Sequence, residues 1–146
     1  MTTRRDEDEA AIRGQVGKIV DGLRGRDLDA LQEVYADDVV SFDVEPPLRH
    51  VGRAAKLRNW ANVFAVFRDV TYEVRDLTLT VSDEVAYGYG LGRLGGTLEN
   101  GTATNGMWVR VTFCFRKVGD TWLIAHDQAS VPFDIVTGRG VTDLEP

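Results

Sequence analysis

A change in the spacing of apolar residues near Phe67 constrains the fold of this chain more than any other feature. Before Phe67 the apolar residues recur at the three- and four-residue intervals of amphipathic helices, and after it they alternate as in strands. Strands that follow helices in this way are typical of α+β domains. Because 146 residues suit one domain, we expect a single domain over 1–146 that ends in a tail at 135–146.

The helical spacing predicts three helices ahead of the main run of strands. The first covers Asp6 to Leu23, a short second one follows Asp27, and the third extends from Gly52 to Phe67. In the third helix, Trp60 belongs to the apolar stripe and is expected in the core or in the wall of a pocket. Lys56 is predicted on the face directed toward solvent.

The strand region contains a signal for curvature. Val70, Tyr72 and Val74 alternate on even positions, whereas the later apolar residues of the same strand lie on odd positions. A change of phase near residues 75–76 predicts a β-bulge, which bends a sheet. Three helices on one long, bent antiparallel or mixed sheet form a cone-shaped barrel, and we expect an internal pocket at its wide end.

The stretch from Tyr35 to Asp43, YADDVVSFD, joins the helical and strand halves and ends in a carboxylate among apolar residues. In strand geometry Val39, Ser41 and Asp43 share one face. Asp43 is therefore a candidate general base or hydrogen-bond acceptor for a ligand. The alternative is a structural carboxylate that accepts hydrogen bonds from the backbone of the loop at residues 46–47.

Two neighbouring residues of the last strand, His126 and Asp127, are further candidates for acid–base catalysis. Side chains of adjacent strand residues point to opposite faces, so only one of the two can line the pocket. For either residue a satisfied polar contact at a sheet edge or subunit contact is the competing interpretation.

Composition excludes several classes of partner. There are 17 Lys and Arg against 23 Asp and Glu, a net charge of −6, which opposes binding to nucleic acid. No apolar run approaches the roughly 20 residues that span a bilayer, so we expect no membrane partner and a cytoplasmic protein.

No cofactor or metal is expected. Cys114 is the only cysteine, and only two histidines, His50 and His126, could join acids in a metal site. The glycines at 90, 92 and 95 spell GxGxxG, but a dinucleotide site needs that motif between a strand and a helix. Here the glycines lie in a strand that leads to a hairpin.

Two segments carry a resemblance to a known family. The segment YADDVVSFDVEPPLRHVGR with the helix after it, and the ending FRKVGDTWLIAHDQASVPF, resemble the nuclear transport factor 2 superfamily. Within it, the similarity is to the SnoaL-like and ketosteroid isomerase-like proteins, over residues 6–134. This superfold hosts isomerases, cyclases, hydrolases, dehydratases and binding domains, so the resemblance implies the fold more narrowly than the activity.

The resemblance implies specific site residues. Asp43 stands where steroid isomerases carry their general base, but the two acidic groups that stabilise the enolate there correspond here to Ile19 and Val111. Steroid isomerase activity is therefore not expected. Asp127, with His126 beside it, is the nearest counterpart of the acid–base residues of SnoaL-like cyclases. The resemblance also places Tyr87, Tyr89 and Arg93 inside the cone, where they would contact a ligand, and the alternative is that the aromatic residues are plain core. The other candidate ligand-binding residues are Trp60, Met107, Val109 and Val111.

These observations leave two functional hypotheses. One is a cofactor-free isomerase, cyclase or hydrolase that uses a pocket carboxylate as general base on a small apolar ligand. The alternative is a non-catalytic ligand-binding or oligomerisation domain. In either case the outer face of the sheet, on which Trp108 stands out, is expected to form a homodimer.

Overall fold

The computed structural model describes residues 1–146. Its main elements are helices α1 (Arg4–Arg24), α2 (Leu28–Gln32) and α3 (Arg53–Val66), and strands β1 (Tyr35–Phe42), β2 (His50–Val51), β3 (Phe67–Val81), β4 (Val85–Leu98), β5 (Met107–Val118) and β6 (Thr121–Ser130). Two short strands, β7 (Phe133–Asp134) and β8 (Arg139–Gly140), pair near the C-terminus. All three predicted helices are present, and none of them is long and apolar enough to cross a membrane.

Helix α1 begins at a capping box. The Thr3 hydroxyl accepts a hydrogen bond from the Asp6 backbone N–H, and the Asp6 carboxylate accepts one from the Thr3 N–H. These bonds satisfy free donors of the first turn. One face of the helix is buried against the sheet through Ile12, Val16 and Ile19. The helix therefore depends on tertiary packing as well as on its cap.

Six strands form one mixed sheet in the order β2-β1-β6-β5-β4-β3. Strands β1 and β6 pair in parallel, and the other neighbouring strands are antiparallel. The α+β class and the helices packed on a long sheet are as predicted. The sheet is not closed into a barrel, because β2 and β3 remain as its two edges.

The predicted bulge lies in β3. Its pairing with β4 shifts register between Arg75 and Thr78, and Asp76 between them has a φ of 58°. The inserted residue moves the inward positions from the even series of Val70 and Tyr72 to the odd series of Leu77 and Leu79, which all pack on the core.

The last residues return to the sheet. The Val141 N–H donates to the Pro132 carbonyl at 2.8 Å, and Glu145 accepts a hydrogen bond from Trp108 Nε1 at 3.0 Å. On the same outer face the guanidinium of Arg75 lies 4.5 Å from the centroid of the Trp108 ring. Trp108 is therefore buried within one chain rather than free to contact a partner.

Candidate active site

A cavity of about 670 Å³ lies between the helices and the sheet. Fourteen of its 25 lining residues are hydrophobic, so most of the wall suits an apolar ligand. Its charged side chains are Asp43, Glu45, Lys56 and Asp127. The apolar wall includes Trp60, Val63, Phe67, Leu94, Met107, Val109, Val111 and Phe113.

Lys56 of α3 is the centre of the polar end of this cavity. Its side chain is only 4% exposed, and its Nζ lies 3.3 Å from Asp43 Oδ2 and 3.2 Å from Asp127 Oδ2. A third contact, at 3.0 Å, reaches the hydroxyl of Ser41. Since an ammonium has three protons, these three acceptors from β1, β6 and the residue after β1 satisfy it completely.

The charge on Lys56 is stable in this environment. Burial alone would lower the pKa of Lys56, but the negative charges of Asp127 and Asp43 outweigh it and raise the pKa above its ordinary value of 10.5. The amine is therefore protonated at neutral pH and is not a nucleophile. A cation–π contact with Trp60 further stabilises the charged form, because Nζ lies 4.9 Å from the centroid of the Trp60 ring.

Asp43 directly follows β1 and is held by three donors. Its Oδ1 accepts from the backbone N–H of Val44 at 2.9 Å, and its Oδ2 accepts from Asn59 Nδ2 at 2.6 Å in addition to Lys56. The carboxylate still opens to the cavity, since 18% of its side chain is exposed, against 11% for Asp127. Asp43 is the more accessible of the two acids.

Asp127 is positioned by the parallel pairing of β1 and β6, in which Ser41 and Asp127 are direct partners. The Ser41 hydroxyl donates a hydrogen bond to Asp127 Oδ1. Ser41 is fully buried, so this bond fixes the carboxylate at the back of the cavity. Ser41, Asp43, Lys56 and Asp127 form what we call the acid cluster, in which two carboxylates face one ammonium.

Two tyrosines bring hydroxyl groups to the cavity. Tyr35 accepts a hydrogen bond from Trp60 Nε1 at 2.9 Å, and burial raises the pKa of Tyr35 to about 12. Tyr72 of β3 also lines the cavity. Burial likewise raises the pKa of Tyr72, so both phenols keep their protons at neutral pH.

Four predicted site residues lie elsewhere. Tyr87 and Tyr89 are 48% and 52% exposed, and Arg93 pairs with Glu73 on the same outer face of the sheet. The inward face of β4 is instead the glycine face, so the prediction that these residues lie inside the cone is wrong. His126 also points outward, where its Nδ1 lies 2.6 Å from the Val40 carbonyl oxygen.

The remaining predicted residues do line the cavity: Asp43, Asp127, Trp60, Met107, Val109 and Val111. The catalytic roles of Asp43 and Asp127 stay predictions. Sequence reasoning missed Lys56, which it placed toward solvent. A signal was present, because Lys56, Asn59, Trp60 and Val63 recur at the spacing of one helix face and all four line the cavity.

The fold is an α+β cone, and a polar cluster lies at one end of its apolar cavity. The model of the SnoaL-like domain family matches residues 12–134, most of the chain. The protein therefore belongs to the SnoaL-like family of the nuclear transport factor 2-like fold. No curated protein matches the chain by sequence.

Solved structures agree with this assignment. A nuclear transport factor 2-like protein of unknown function from Pseudomonas putida KT2440 is 27% identical, with a TM-score of 0.85 over 96% of this chain and 97% of that one. A putative dehydratase from Streptomyces avermitilis is 19% identical, with a TM-score of 0.76 over 88% and 99%. A hexachlorocyclohexane dehydrochlorinase is 18% identical, with a TM-score of 0.74 over 84% of each chain. The last two similarities establish the fold alone.

Proposed function

We propose that the protein is a cofactor-independent enzyme in which Asp43 moves a proton on a small, neutral, largely apolar ligand. The observation that carries the proposal is the acid cluster, in which Lys56 holds two carboxylates at one end of an apolar cavity. Asp43 is the base in this scheme because its side chain is the more open to the cavity. Asp127 and Ser41 hold Lys56 in place.

The charge balance of the cluster favours proton uptake. With both acids ionised and Lys56 protonated, the cluster carries a net charge of about −1 in a poorly solvated site. Transfer of a proton from a neutral ligand to Asp43 makes the cluster neutral and leaves the new negative charge on the ligand, near the Lys56 ammonium. The same excess charge disfavours anionic ligands.

The names of two structural neighbours support this class of reaction. One is a putative dehydratase and the other a dehydrochlorinase, and both names describe eliminations. An elimination that loses water or hydrogen chloride must also remove a proton, which is the step that Asp43 would perform here.

A substrate-independent test is the base-promoted opening of 5-nitrobenzisoxazole. A base removes the C3 proton, the electron pair forms the nitrile, and the N–O bond breaks to give a coloured phenolate. We expect the wild type to accelerate this opening and Asp43→Asn to lose about a hundredfold in rate, within the usual range for a general base. Asp21→Asn, an exposed carboxylate of α1, is the matched control and should leave the rate unchanged. Equal rates in wild type and Asp43→Asn would overturn the role of Asp43.

A second role, assembly, is favoured by the outer sheet face. Phe42, Tyr87 and Tyr89 are 43%, 48% and 52% exposed on that face, and apolar surface gathered on one face is typical of a protein–protein contact. We propose that two copies associate through it. Sedimentation equilibrium should give a dimer at micromolar concentration, and Tyr89→Asp should shift it to monomer. A wild type that sediments only as monomer would contradict this.

A further inference from the structure

The hydroxyl of Tyr72 is a polar group in the cavity that no protein group engages. Tyr72 is 7% exposed, it lines the cavity, and no hydrogen bond contributes to the environment of its hydroxyl. The hydroxyl oxygen is not among the fully enclosed unpaired atoms of the chain, so it is accessible from the cavity and free to bond a ligand there. The residue is also outside the acid cluster, so the proton transfer proposed above does not explain it.

Gly92 on the neighbouring strand sets the position of this ring. A Cβ at Gly92 would lie 3.3 Å from Tyr72 Cζ and 2.7 Å from the Tyr72 hydroxyl oxygen, and the second distance is closer than real Cβ atoms approach. The Tyr72 ring therefore occupies the space that a side chain at 92 would fill. This close packing accounts for a glycine at that point of β4.

The Tyr72 hydroxyl also interacts electrostatically with the acid cluster. Burial raises the pKa of Tyr72, and among the charged groups Lys56 lowers it while Asp127 and Asp43 raise it. Tyr35 accepts from Trp60, which leaves its own O–H proton available for donation. The cavity therefore contains two O–H donors, Tyr35 and Tyr72, and the charges of Asp43 and Asp127 influence the pKa of both.

We propose that Tyr72, with Tyr35 beside it, donates a hydrogen bond to an oxygen of the ligand and so selects ligands that carry a carbonyl or enolisable oxygen at their buried end. The proposed function supplies the reason that such a donor is useful, since negative charge develops on the ligand when Asp43 takes a proton. Binding selectivity does not require that any reaction occur. The two proposals can therefore fail separately.

The test uses two probes that differ in one oxygen-bearing group. 2-Acetylnaphthalene carries a carbonyl, and 2-ethylnaphthalene has the same ring system without it. Tyr72→Phe keeps the ring but removes the hydroxyl. We expect it to weaken binding of the ketone about fivefold and to leave binding of the hydrocarbon unchanged, as the loss of one hydrogen bond predicts. The infrared carbonyl band of the bound ketone should move to higher wavenumber in the variant.

Tyr87→Phe is the control, because this tyrosine is exposed on the outer face and its loss should change neither probe. Gly92→Ala is a second route to the same result, since the added methyl group displaces the Tyr72 ring and should also reduce the affinity of the ketone selectively. Asp43→Asn should slow proton transfer about a hundredfold while the carbonyl band of the bound ketone keeps its shift.

Three results would overturn the inference. The first is an equal loss of affinity for both probes in Tyr72→Phe, which would show that the residue acts only through packing. The second is an unchanged carbonyl band in that variant. The third is a wild-type protein that binds neither naphthalene.

Discussion

Replacement of Lys56 by Met tests whether the ammonium holds the acid cluster together. Met has similar length and fills the same space, but it leaves Asp43 and Asp127 facing each other without a cation. The buried carboxylate of Asp127 and the partly buried one of Asp43 then repel each other, and each loses a charged hydrogen-bond donor. We therefore expect Lys56→Met to fold with much lower stability rather than to gain from its more apolar side chain.

The expected loss is about 3–5 kcal/mol, the usual cost when one member of a buried ion pair is removed. For 146 residues the entropy of unfolding is roughly 0.3 kcal/mol/K, so the melting temperature should fall by about 10–16 °C. In the wild type, burial favours the neutral amine, but Asp127 and Asp43 outweigh it and raise the pKa of Lys56. This stabilisation is fully present below pH 10.5 and is lost as the pH rises above that value.

Urea unfolding at several pH values measures the effect. The deficit of Lys56→Met should be complete below pH 10.5 and shrink as the pH rises above that value toward the raised pKa of Lys56, because the wild-type amine then loses its charge. The double variant Lys56→Met with Asp127→Asn should recover part of the stability, because it removes one of the two carboxylates that the lost ammonium leaves unpaired. Lys18→Met, on the exposed side of α1, is the control and should change stability little. A loss below about 1 kcal/mol in Lys56→Met, or a deficit independent of pH, would refute this account.

Three further outcomes follow from local contacts elsewhere. Gly14 is exposed in the middle of α1, and a Cβ added there would meet nothing within 4 Å, so Gly14→Ala should raise the unfolding free energy by about 0.5–1 kcal/mol in urea titration. The hydrogen bond from Trp122 lowers the pKa of Asp8 although burial opposes it, so the destabilisation in Asp8→Asn should be present above pH 3.8 and fade as the pH falls through the lowered pKa. Removal of residues 141–146 takes Glu145 from Trp108, so the tryptophan emission should shift to longer wavelength and become more accessible to iodide.

The fold could be predicted because its determinants are local and periodic. The change from helical to alternating spacing at Phe67 places helices before strands, and the change of phase near Asp76 marks the bulge that the structure contains. The parallel pairing of β1 with β6 is different. It joins segments more than 80 residues apart, and nothing in either segment specifies the direction of its partner.

Lys56 shows why part of the site could not be predicted. A lysine on an amphipathic helix usually faces water, and the prediction for Lys56 followed that rule. The spacing indicates the opposite, because Lys56 lies four residues before Trp60 and therefore on the cavity face. The burial of the ammonium becomes favourable only when Asp43 and Asp127 meet it from two different strands. These two acids are far from each other in the sequence and meet Lys56 only in the folded chain.

The two faces of β4 are exchanged relative to the prediction for a related reason. Alternation on this strand separates aromatic from glycine positions, and an aromatic face is the usual choice for a core. The structure buries the glycine face because the neighbouring strand fills the space above it, with Leu79 over Gly88 and Tyr72 over Gly92. Which face is inward was decided by the side chains of another strand.

The resemblance to steroid isomerases transfers the fold more securely than the individual site residues. The positions of the enolate-stabilising pair hold Ile19 and Val111, and both line the cavity as apolar wall. The structure offers hydroxyl donors from Tyr35 at the start of β1 and from Tyr72 on β3 instead. Because a cavity surrounded by several elements can receive a donor from any of them, the loss of a motif residue does not establish the loss of its chemistry. A ketone whose carbonyl band responds to Tyr72→Phe would show that the donor has moved to another strand.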